Sequence, residues 1–404
     1  MTKTEIILEE YKPSPVGKIP SDWAVKTVGE AYEICNNLRL PISEEERKKI
    51  KGEYPYYGPT KIQDYINEYR LEGTYALIGE DGDHFLKWKE LPMTLLVNGR
   101  FNVNNHAHII RGNGNLTKWF YYYFNHKELT PHLTRQGAGR YKLTKDSLSK
   151  IFCLIPPVKE QVAIVDLLST WDEAITKTNS LLHQKELRKN WLLDNLLMGK
   201  KQLSGFHNEW KKQIANDFLS LRNEQAVNDG KIQLFSLTIE NGVIEKSERY
   251  EREFLVKDKD IKKYKVVYPN DIVFNPANLR WGAIAKHRRD FRVLVSPIYE
   301  VLYVSNGYNV DFINYLVSSP RQIAYYASIV EGTLIERMAV KAEPFLATKY
   351  SLPEYEEQTA IARVLKTTDH EIQLLKTKAE KLREQKRGLM QVLLTGKKRL
   401  KINL

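Results

Sequence analysis

Two stretches of the chain place metal-binding residue types close together. Gly79-Glu80-Asp81-Gly82-Asp83-His84 could form an acidic loop, and the spacing of His106 and His108 puts both rings on one face of a strand. The acidic loop lacks the length and the closing Glu of an EF-hand, and the histidine pair has no apparent third ligand. A Gly/Asp turn and a half-buried strand face are therefore the favoured interpretations, and no metal site is predicted.

Motifs for catalysis on nucleic acids are incomplete. Phe274-Asn275-Pro276-Ala277 matches half of the Asn-Pro-Pro-aromatic loop of amino-methyltransferases, but the second proline and the aromatic residue are missing. No convincing glycine-rich cofactor loop accompanies it, and the sequence contains no GxxxxGK[ST] phosphate loop. We therefore predict no catalytic residue and no cofactor bound by this chain.

Polar residues in Gly/Asn-rich loops are better suited to binding DNA. Arg recognises guanine and Asn or Gln recognises adenine through bidentate hydrogen bonds, while Tyr and Trp could stack on bases. We expect phosphate contacts to outnumber base contacts among them. The candidates in the first half are Tyr57, Thr60, Lys61, Arg100, Asn102, Asn104, Asn105, Arg135, Gln136, Arg140 and Tyr141. Those in the second half are Asn275, Asn278, Arg280, Trp281, Lys286, Arg288 and Arg289.

The charge balance agrees with a polyanionic partner. The chain has 404 residues, 62 basic and 50 acidic, for a formal net charge of +12. An excess of this size favours nucleic acid, although many basic proteins bind nothing acidic. The length predicts two or three domains, and 42% hydrophobic residues are enough to build cores.

The two cysteines, Cys35 and Cys153, have neither zinc-site nor disulfide-framework spacing. Two thiols in a chain of this length fit a reducing compartment, so we expect a cytoplasmic protein. The first residues, MTKTEIILEEYKPSP, lack the apolar core of a signal peptide. No apolar run is long enough for a transmembrane helix, and no membrane partner is expected.

An internal repeat is the strongest signal in the sequence. Residues 156–203 align without a gap on residues 353–400, at a constant offset of 197 from Pro156 to Pro353. The upstream prolines mark helix starts, and Gly199 and Gly396 stand where C-terminal caps are expected. The sequence therefore predicts two equivalent helices of about 40 residues, or about 60 Å each at 1.5 Å per residue.

Apolar residues in the two copies recur in steps of four and three, the pattern of a coiled-coil seam. In the first copy, polar residues interrupt the seam midway. Neither helix can bury its seam alone, so we predict that the two pack antiparallel within the chain. The predicted seam residues are Ile164, Leu168, Ile175, Leu182, Leu192, Ile361, Leu365, Ile372, Leu375, Leu382 and Leu389.

Each helix is preceded by a segment that mixes strand and helix patterns. The segments share a short opening with a Trp, at Trp23 and Trp210, and beyond it they are not visibly alike. Predicted strands are 75–78, 94–97, 106–110, 266–268, 271–274 and 299–304, and predicted helices are 119–124 and 312–317. The predicted limits are an N-terminal segment 1–20, a first domain 21–152, a first helix 153–203, a second domain 204–349 and a second helix 350–404. The fold class is α+β: two mixed α/β domains separated by two long antiparallel helices, with a pseudo-twofold repeat.

This layout resembles the specificity subunits of type I restriction–modification enzymes over essentially the whole chain. The resemblance rests on the paired Pro-x-x-x-Glu-Gln-x-Ala-Ile openings at Pro156 and Pro353 and on Lys18-Ile19-Pro20-x-x-Trp23. The chain departs from the family's pattern at Pro59 and Lys61. Segments that look like the family's target-recognition domains are Tyr54-Pro55-Tyr56-Tyr57-Gly58-Pro59-Thr60, Ile78-Gly79-Glu80-Asp81-Gly82, Asp271-Ile272-Val273-Phe274-Asn275-Pro276 and Leu279-Arg280-Trp281-Gly282.

The resemblance implies a non-catalytic chain that binds a split, asymmetric double-stranded DNA target, one half per domain. It implies that the helices set the gap and dock two methylation subunits, which bind S-adenosylmethionine and methylate adenine. Restriction subunits would add an ATP- and Mg²⁺-dependent nuclease. Two other interpretations remain open: a self-contained DNA methyltransferase or nuclease, and a coiled-coil interaction protein that binds no DNA.

Overall fold

A computed structural model of the chain describes residues 10–136, 140–246, 263–331 and 338–400. The chain divides into two compact units, and each long helix contributes to both. The first unit is Met1–Thr178 with Lys378–Leu404, and the second is Asn179–Thr377. We call residues 21–152 the first head and residues 204–349 the second head. Each unit therefore contains one head and half of each long helix.

The first head consists mainly of short strands. The strands of the first unit are β1 Tyr11–Lys12, β2 Ile19–Pro20, β3 Ala24–Thr27, β4 Tyr32–Ile34, β5 Lys51–Tyr57, β6 Ile62–Ile66, β7 Leu71–Glu72, β8 Tyr75–Gly79, β9 Thr94–Val97, β10 Arg100–Val103, β11 Ala107–Gly112, β12 Thr134–Gln136, β13 Arg140–Lys142 and β14 Phe152–Ile155. Its helices are α1 Val28–Ala31, α2 Glu44–Lys49, α3 Thr117–Phe124 and α4 Lys145–Ser149, and the first long helix is α5 Val158–Leu196. Short 3-10 turns occupy Asn36–Leu38, Asp83–Lys87 and Thr130–His132.

The second head has a comparable mixture. Its strands are β15 Lys211–Ile214, β16 Leu219–Leu221, β17 Gln225–Val227, β18 Phe235–Thr238, β19 Gly242–Glu245, β20 Lys263–Val267, β21 Ile272–Phe274, β22 Ile284–Lys286, β23 Val293–Val295 and β24 Glu300–Val304, followed by β25 Lys349–Leu352. Its helices are α6 Ala215–Phe218, α7 Val310–Val317, α8 Pro320–Ser328 and α9 Ala342–Leu346, with a 3-10 turn at Leu279–Trp281. The second long helix is α10 Tyr355–Leu393.

The elements predicted from apolar patterning are confirmed, with ends displaced by up to three residues. Thr94–Val97 is a strand with the predicted limits, and the predicted helix 119–124 begins two residues earlier, at Thr117. The largest difference at a strand end is at 266–268, where β20 begins at Lys263 and ends at Val267. Asp271 lies before β21 because its backbone N–H bonds the Tyr268 carbonyl in a turn.

The two heads share one sheet topology that their sequences do not reveal. In the first head, one four-stranded sheet has the order β4-β11-β8-β9, and all its neighbours are antiparallel. In the second head, the order β16-β24-β21-β22 repeats the same connections with the same directions. Each head is also closed by pairing its first and last strands, β3 with β14 and β15 with β25. The heads are therefore two versions of one architecture.

Both long helices contain 39 residues and end in the same way. Gly199 has φ 62° and Gly396 has φ 69°, left-handed values that glycine adopts without steric cost. The N–H groups of Lys201 and Lys398 then bond back to the helix, to the carbonyls of Asn195 at 3.1 Å and Val392 at 3.1 Å. The predicted C-terminal caps are confirmed.

Within each unit, the halves of α5 and α10 run antiparallel. In the first unit, Ile164 and Leu168 share one apolar core with Met390 and Leu393. In the second, a core that includes Leu192 and Leu196 also contains Ile361 and Leu365. Complete burial of one such side chain contributes about 1.5–3 kcal/mol, so each helix pair is anchored mainly by its apolar seam.

The polar positions that interrupt the first seam form interhelical ion pairs. Lys185 Nζ lies 2.7 Å from Glu371 Oε2, and Lys189 Nζ lies 2.6 Å from Asp369 Oδ1. These pairs are partly exposed, so each contributes about 0–1 kcal/mol. Their main effect is on register, because a shift of one helix would separate the charges.

Cys35 and Cys153 are buried free thiols. Across the described ranges, no helix is both long enough and apolar enough to cross a membrane.

Candidate nucleic-acid interface

Several predicted DNA-binding residues of the first head meet at one edge. The hairpin between β5 and β6 turns at residues 58–61, where Gly58 N–H bonds the Lys61 carbonyl at 2.9 Å. Thr60 and Lys61 are exposed on this turn, and Tyr57 is half-buried at its base. Because β10 pairs with β5 in parallel, exposed Asn105 follows β10 at the same edge. The turn and residues 104–106 thus form one candidate surface, which we call the first loop surface.

Asn102 and Asn104 are bonded within the fold. Asn102 is fully buried, and its Nδ2 donates to the Glu68 carbonyl at 2.7 Å. Asn104 Nδ2 donates to Gln63 Oε1 at 2.9 Å, while its Oδ1 accepts from the His106 N–H at 2.8 Å. Both amides hold loops in place, so in this conformation neither side chain is offered to a base.

A second hairpin approaches the first loop surface through β12 and β13. Gly82 N–H bonds the Tyr141 carbonyl at 3.2 Å and places the hairpin beside the residues that follow β8. Exposed Arg135 donates to Tyr141 Oη at 2.7 Å and lies 5.0 Å from the ring centre. Gln136 and Arg140 are paired in the ladder, but their side chains and residues 137–139 lie outside the described residues. Arg135 and Tyr141 form a cation–aromatic pair suited to a phosphate and a base face.

Arg100 lies at the opposite end of β10 from Asn105. Its guanidinium stands 4.8 Å from the Tyr69 ring centre and 3.3 Å from Glu72 Oε1. Tyr69 in turn lies 5.0 Å from Tyr54, centre to centre. This tyrosine pair was not predicted, because Tyr54 and Tyr69 lie in separate segments and their only signal was the abundance of tyrosine in that region.

The predicted acidic loop and histidine pair form a charge network. Glu80 lies 2.6 Å from Arg39 and 3.2 Å from Lys142. His108 is fully buried, its Nε2 donating to the Leu143 carbonyl at 2.7 Å and its Nδ1 accepting from Arg39 at 2.9 Å. Burial, and then the Arg39 charge, lower the pKa of His108 to about 4, which keeps the ring neutral. Among the residues that the structure describes, no group of His, Cys, Asp and Glu is arranged to hold a metal ion.

In the second head, predicted DNA-binding residues project from the hairpin between β21 and β22. The loop is fixed by hydrogen bonds from the Asn275 N–H to the Ala283 carbonyl at 3.0 Å and from the Asn278 N–H to the Asn275 carbonyl at 3.1 Å. Trp281 is 58% exposed, and the Arg280 guanidinium lies 4.2 Å from its ring centre. An exposed indole backed by arginine is a good stacking platform. We call residues 275–282 the second loop surface.

The predicted basic cluster lies at the other end of the same hairpin. Since Ile272 pairs with Lys286 and Phe274 pairs with Ile284, Lys286 is separated from Asn275 by the length of the strands. The Lys286 ammonium bonds Asp311 and is mostly buried. Arg288 and Arg289 are exposed beyond it. The structure therefore does not bring the basic cluster together with the second loop surface.

The two loop surfaces occupy corresponding ends of the matching sheets. The first lies where β8 ends and β11 begins, because Gly79 is paired with Ala107. The second follows the end of β21, where Phe274 is paired with Glu300. Equivalent frames thus present unlike loops, one built around Tyr57, Asn105 and Arg135, the other around Arg280 and Trp281.

Each head is attached to its helices by a Trp–Glu contact, which is buried in the first unit and partly buried in the second. Trp23 Nε1 donates to Glu160 at 2.9 Å, and Trp210 Nε1 donates to Glu357 at 3.1 Å. Burial raises the pKa of Glu357. The tryptophans belong to the head openings and the glutamates to the helix openings that repeat in the sequence. The two motifs therefore form the junction between each head and its helix.

The neighbouring glutamine of each motif fixes a head loop. Gln161 Oε1 accepts from the Leu116 N–H at 2.9 Å, and its Nε2 donates to the Pro156 carbonyl at 2.9 Å. Gln358 repeats both bonds in the second unit, also at 2.9 Å. Since both side chains are buried, apolar replacements would leave backbone groups unsatisfied.

A Tyr–Asp–Lys group joins each head to both helices. In the first unit, Tyr122 Oη donates to Asp172 at 2.8 Å, and Lys386 Nζ lies 2.5 Å from the same carboxylate. One residue comes from the head, one from α5 and one from α10. The second unit repeats the group with Tyr315, Asp369 and Lys189.

The predicted seam residues all avoid full exposure. Apart from Ile372 and Leu389, those towards the helix ends are buried and those nearer the middle are half-buried. The buried residues are Ile164, Leu168, Leu192, Ile361, Leu365 and Ile372, and the half-buried ones are Ile175, Leu182, Leu375, Leu382 and Leu389.

Comparison with protein families decides what this architecture is. The model of the type I restriction modification DNA specificity domain matches residues 20–184, which span the first head and the beginning of α5. Residues 20–184 of this chain are therefore a DNA specificity domain of the type I restriction–modification kind. The resemblance inferred from the sequence motifs is confirmed.

Related specificity subunits align with one head or with nearly the whole chain. A type I restriction enzyme specificity subunit of Haemophilus influenzae is 38% identical over 144 residues, which are 35% of this chain and 36% of that protein. That alignment spans only about a third of this chain and of the Haemophilus protein. The MjaVIII specificity subunit of Methanocaldococcus jannaschii is 23% identical over 97% of both chains.

A solved specificity subunit has the same fold. The type I S subunit from M. genitalium superimposes with a TM-score of 0.61 and 11% sequence identity, covering 92% of this chain and 96% of that one. The predicted α+β class with two long helices is confirmed.

Proposed function

We propose that this specificity subunit directs a type I restriction–modification complex to a split, asymmetric DNA target. Each loop surface contacts one half of the target, and the two long helices set the unspecified gap. The chain has no catalytic role of its own. It positions methylation subunits, which bind S-adenosylmethionine and modify adenine, and restriction subunits, which use ATP and Mg²⁺.

The observation that supports this proposal most strongly is the pair of unlike loop surfaces on like supports. The Trp–Glu contact, the buried glutamine and the Tyr–Asp–Lys group occur in both units. A repeated support with different loops is expected when two different half-sites must be recognised. Because both heads belong to one chain, the half-sites need not be related by symmetry, unlike those of a homodimeric DNA reader.

The chemistry of the loop surfaces suits DNA recognition by a mixture of contacts. Lys61, Arg135 and Arg280 supply positive charge for phosphates or guanine edges, and Asn105 supplies an amide for adenine. Tyr141 and Trp281 supply aromatic faces beside two of these cations. The net charge of +12 adds a general attraction to the duplex.

The proposal is tested by co-expressing the chain with its methylation subunits and mapping methylated adenines across the host genome. The expected result is one sequence of two unlike half-sites separated by a fixed gap. Replacing residues 204–349 with the second head of another specificity subunit should change one half-site and leave the other intact. Methylation without a common sequence, or a change in both halves, would contradict the proposal.

Two further measurements separate the alternatives. The isolated chain should transfer no methyl group from labelled S-adenosylmethionine to DNA; robust transfer would establish a self-contained methyltransferase instead. The assembled complex should bind DNA with an affinity that falls steeply as salt rises. Absence of salt-dependent binding would favour a coiled-coil interaction protein without DNA.

A further inference from the structure

A cavity of about 520 Å³ lies in the first unit, where the first head meets the C-terminal half of α10. Its apolar walls are the rings of Trp88, Tyr122 and Tyr123 and the side chains of Met390 and Leu394. This volume is within the range that holds a small organic ligand, and aromatic walls are typical of such sites. None of these residues belongs to the loop surfaces.

The charged side chains that line this cavity are all cationic. They are Lys89, Lys127 and Arg387, and no Asp or Glu is among its described lining residues. Its other polar lining residues are His126, whose pKa is lowered by burial, Gln391 and Thr395. Lys127 is half-buried, and burial lowers the pKa of its ammonium group to about 8. That ammonium bonds Tyr123 Oη at 2.9 Å and lies 4.2 Å from the same ring's centre. Neither contact supplies a negative charge, and no carboxylate among the residues that the structure describes forms an ion pair with this ammonium group.

A cavity of the second unit, lined by other positions of the helices, is electrostatically different. It measures about 850 Å³ and is also lined by several cations, among them Lys189 and Lys286. There Asp369 lies 2.6 Å from Lys189, and Asp311 bonds Lys286. A head–helix junction can therefore supply its own counterions. The unbalanced charge in the first cavity is a specific property of that cavity.

We propose that the first cavity binds a small aromatic anion. Its carboxylate, sulfonate or phosphate group pairs with Lys127 and Arg387, and its flat body packs against Trp88 and Tyr123. The ligand supplies the missing negative charge. Its apolar surface is transferred from water to contact with the aromatic walls. Lys127 has ammonium protons left after its bond to Tyr123, so it can donate to the anion without losing that contact. This site is independent of DNA recognition.

The test uses the full chain and 8-anilinonaphthalene-1-sulfonate, an aromatic anion whose fluorescence rises in apolar surroundings. We expect one probe molecule bound per chain, and at least tenfold weaker binding by uncharged N-phenyl-1-naphthylamine. Lys127→Met keeps the apolar stem and removes the charge, so it should weaken probe binding at least tenfold. Arg387→Gln should weaken it severalfold. The matched control is Lys366→Met, which removes an exposed charge from the second cavity and should change nothing.

Three results would overturn the proposal. Equal affinity for the charged and uncharged probes would show an apolar crevice without anion recognition. Unchanged probe binding in Lys127→Met would place the probe elsewhere, and the melting temperature of that variant shows whether it is folded. Loss of methylation-subunit assembly in Lys127→Met, with complete displacement of the probe by that subunit, would make the cavity a protein-docking surface.

Discussion

The Trp23 indole donates from Nε1 to Oε2 of Glu160 over 2.9 Å, although these residues are distant in sequence. Glu160 is 2% exposed, and the same carboxylate accepts from Arg399 Nη2 at 2.6 Å. Three segments of the first unit therefore converge on one buried anion: the head opening, the start of α5 and the chain beyond α10. Arg399 also bonds Asp22, at 2.8 Å, which ties the last segment to the first.

Removing this anion should destabilise the first unit. Glu160→Ala leaves the Trp23 N–H without its acceptor and the Arg399 guanidinium with only the more exposed Asp22 carboxylate, at a cost of about 3 kcal/mol. The thermal unfolding transition of this full-length variant should occur at a lower temperature than that of the native chain. The control is Glu173→Ala, which removes an exposed ion pair with Lys177 and should change stability by less than about 0.5 kcal/mol. Equal melting curves for the two variants would contradict a structural role for the Trp–Glu contact.

Arg280 is expected to determine recognition of one half-site. Arg280→Ala removes the cation above the Trp281 ring and should weaken DNA binding by about 1–3 kcal/mol, roughly 5- to 150-fold. Assembly with the methylation subunits should be unaffected, since the residue lies on a head loop. The DNA affinity of the variant and native complexes is compared on targets that carry a mutation in one half-site or the other. The two complexes should bind with the same affinity when the half-site of the second head is already mutated. The control is Lys349→Ala, which removes an exposed cation of the second unit outside the second loop surface. Normal methylation of every target by Arg280→Ala would exclude Arg280 as a recognition residue.

The helices are expected to set the gap between half-sites. Seven residues inserted in both helices, after Thr178 and after Thr377, preserve the heptad seam and add about 10.5 Å. Methylated sites should then have a gap longer by about three base pairs, at 3.4 Å per base pair. A seven-residue insertion in the exposed turn at Gly230 serves as the control. An unchanged gap in the helix variant would refute the spacer role.

Burial of neutral His108 should make the first unit sensitive to acid. Its folded-state pKa, lowered to about 4, is below the ordinary value of 6.5, so protonation opposes folding. This contribution is complete above pH 6.5 and is lost as pH falls toward 4, by about 1.4 kcal/mol per pH unit. Urea unfolding at pH 7.5 and pH 5 should therefore show a loss about 2 kcal/mol larger in the native chain than in His108→Gln. The nearby charges are Arg39, Glu80 and Lys142. If the native chain and His108→Gln lose stability in parallel as pH falls, the acid sensitivity is due to these charges instead.

Local pattern alone determined the scaffold of this protein. The 197-residue offset, the heptad spacing and the glycine caps at Gly199 and Gly396 are short-range features, and the structure confirms the helices they predict. An amphipathic helix of this length needs a partner for its seam. The family followed from the same repeated openings, because a motif that builds a junction must keep its residue types and spacing.

Tertiary structure decided which polar residues are available to DNA. Asn102 and Asn105 are similar in sequence context, yet the first is buried against the Glu68 carbonyl and the second is exposed. The sequence also did not predict three other features. They are the shared topology of the heads, the separation of Lys286 from Asn275 and the unbalanced charge of Lys127. The physical reason is that burial and pairing depend on segments distant in sequence. Residue type determines what a side chain can bond, and only the packed chain determines what lies within reach.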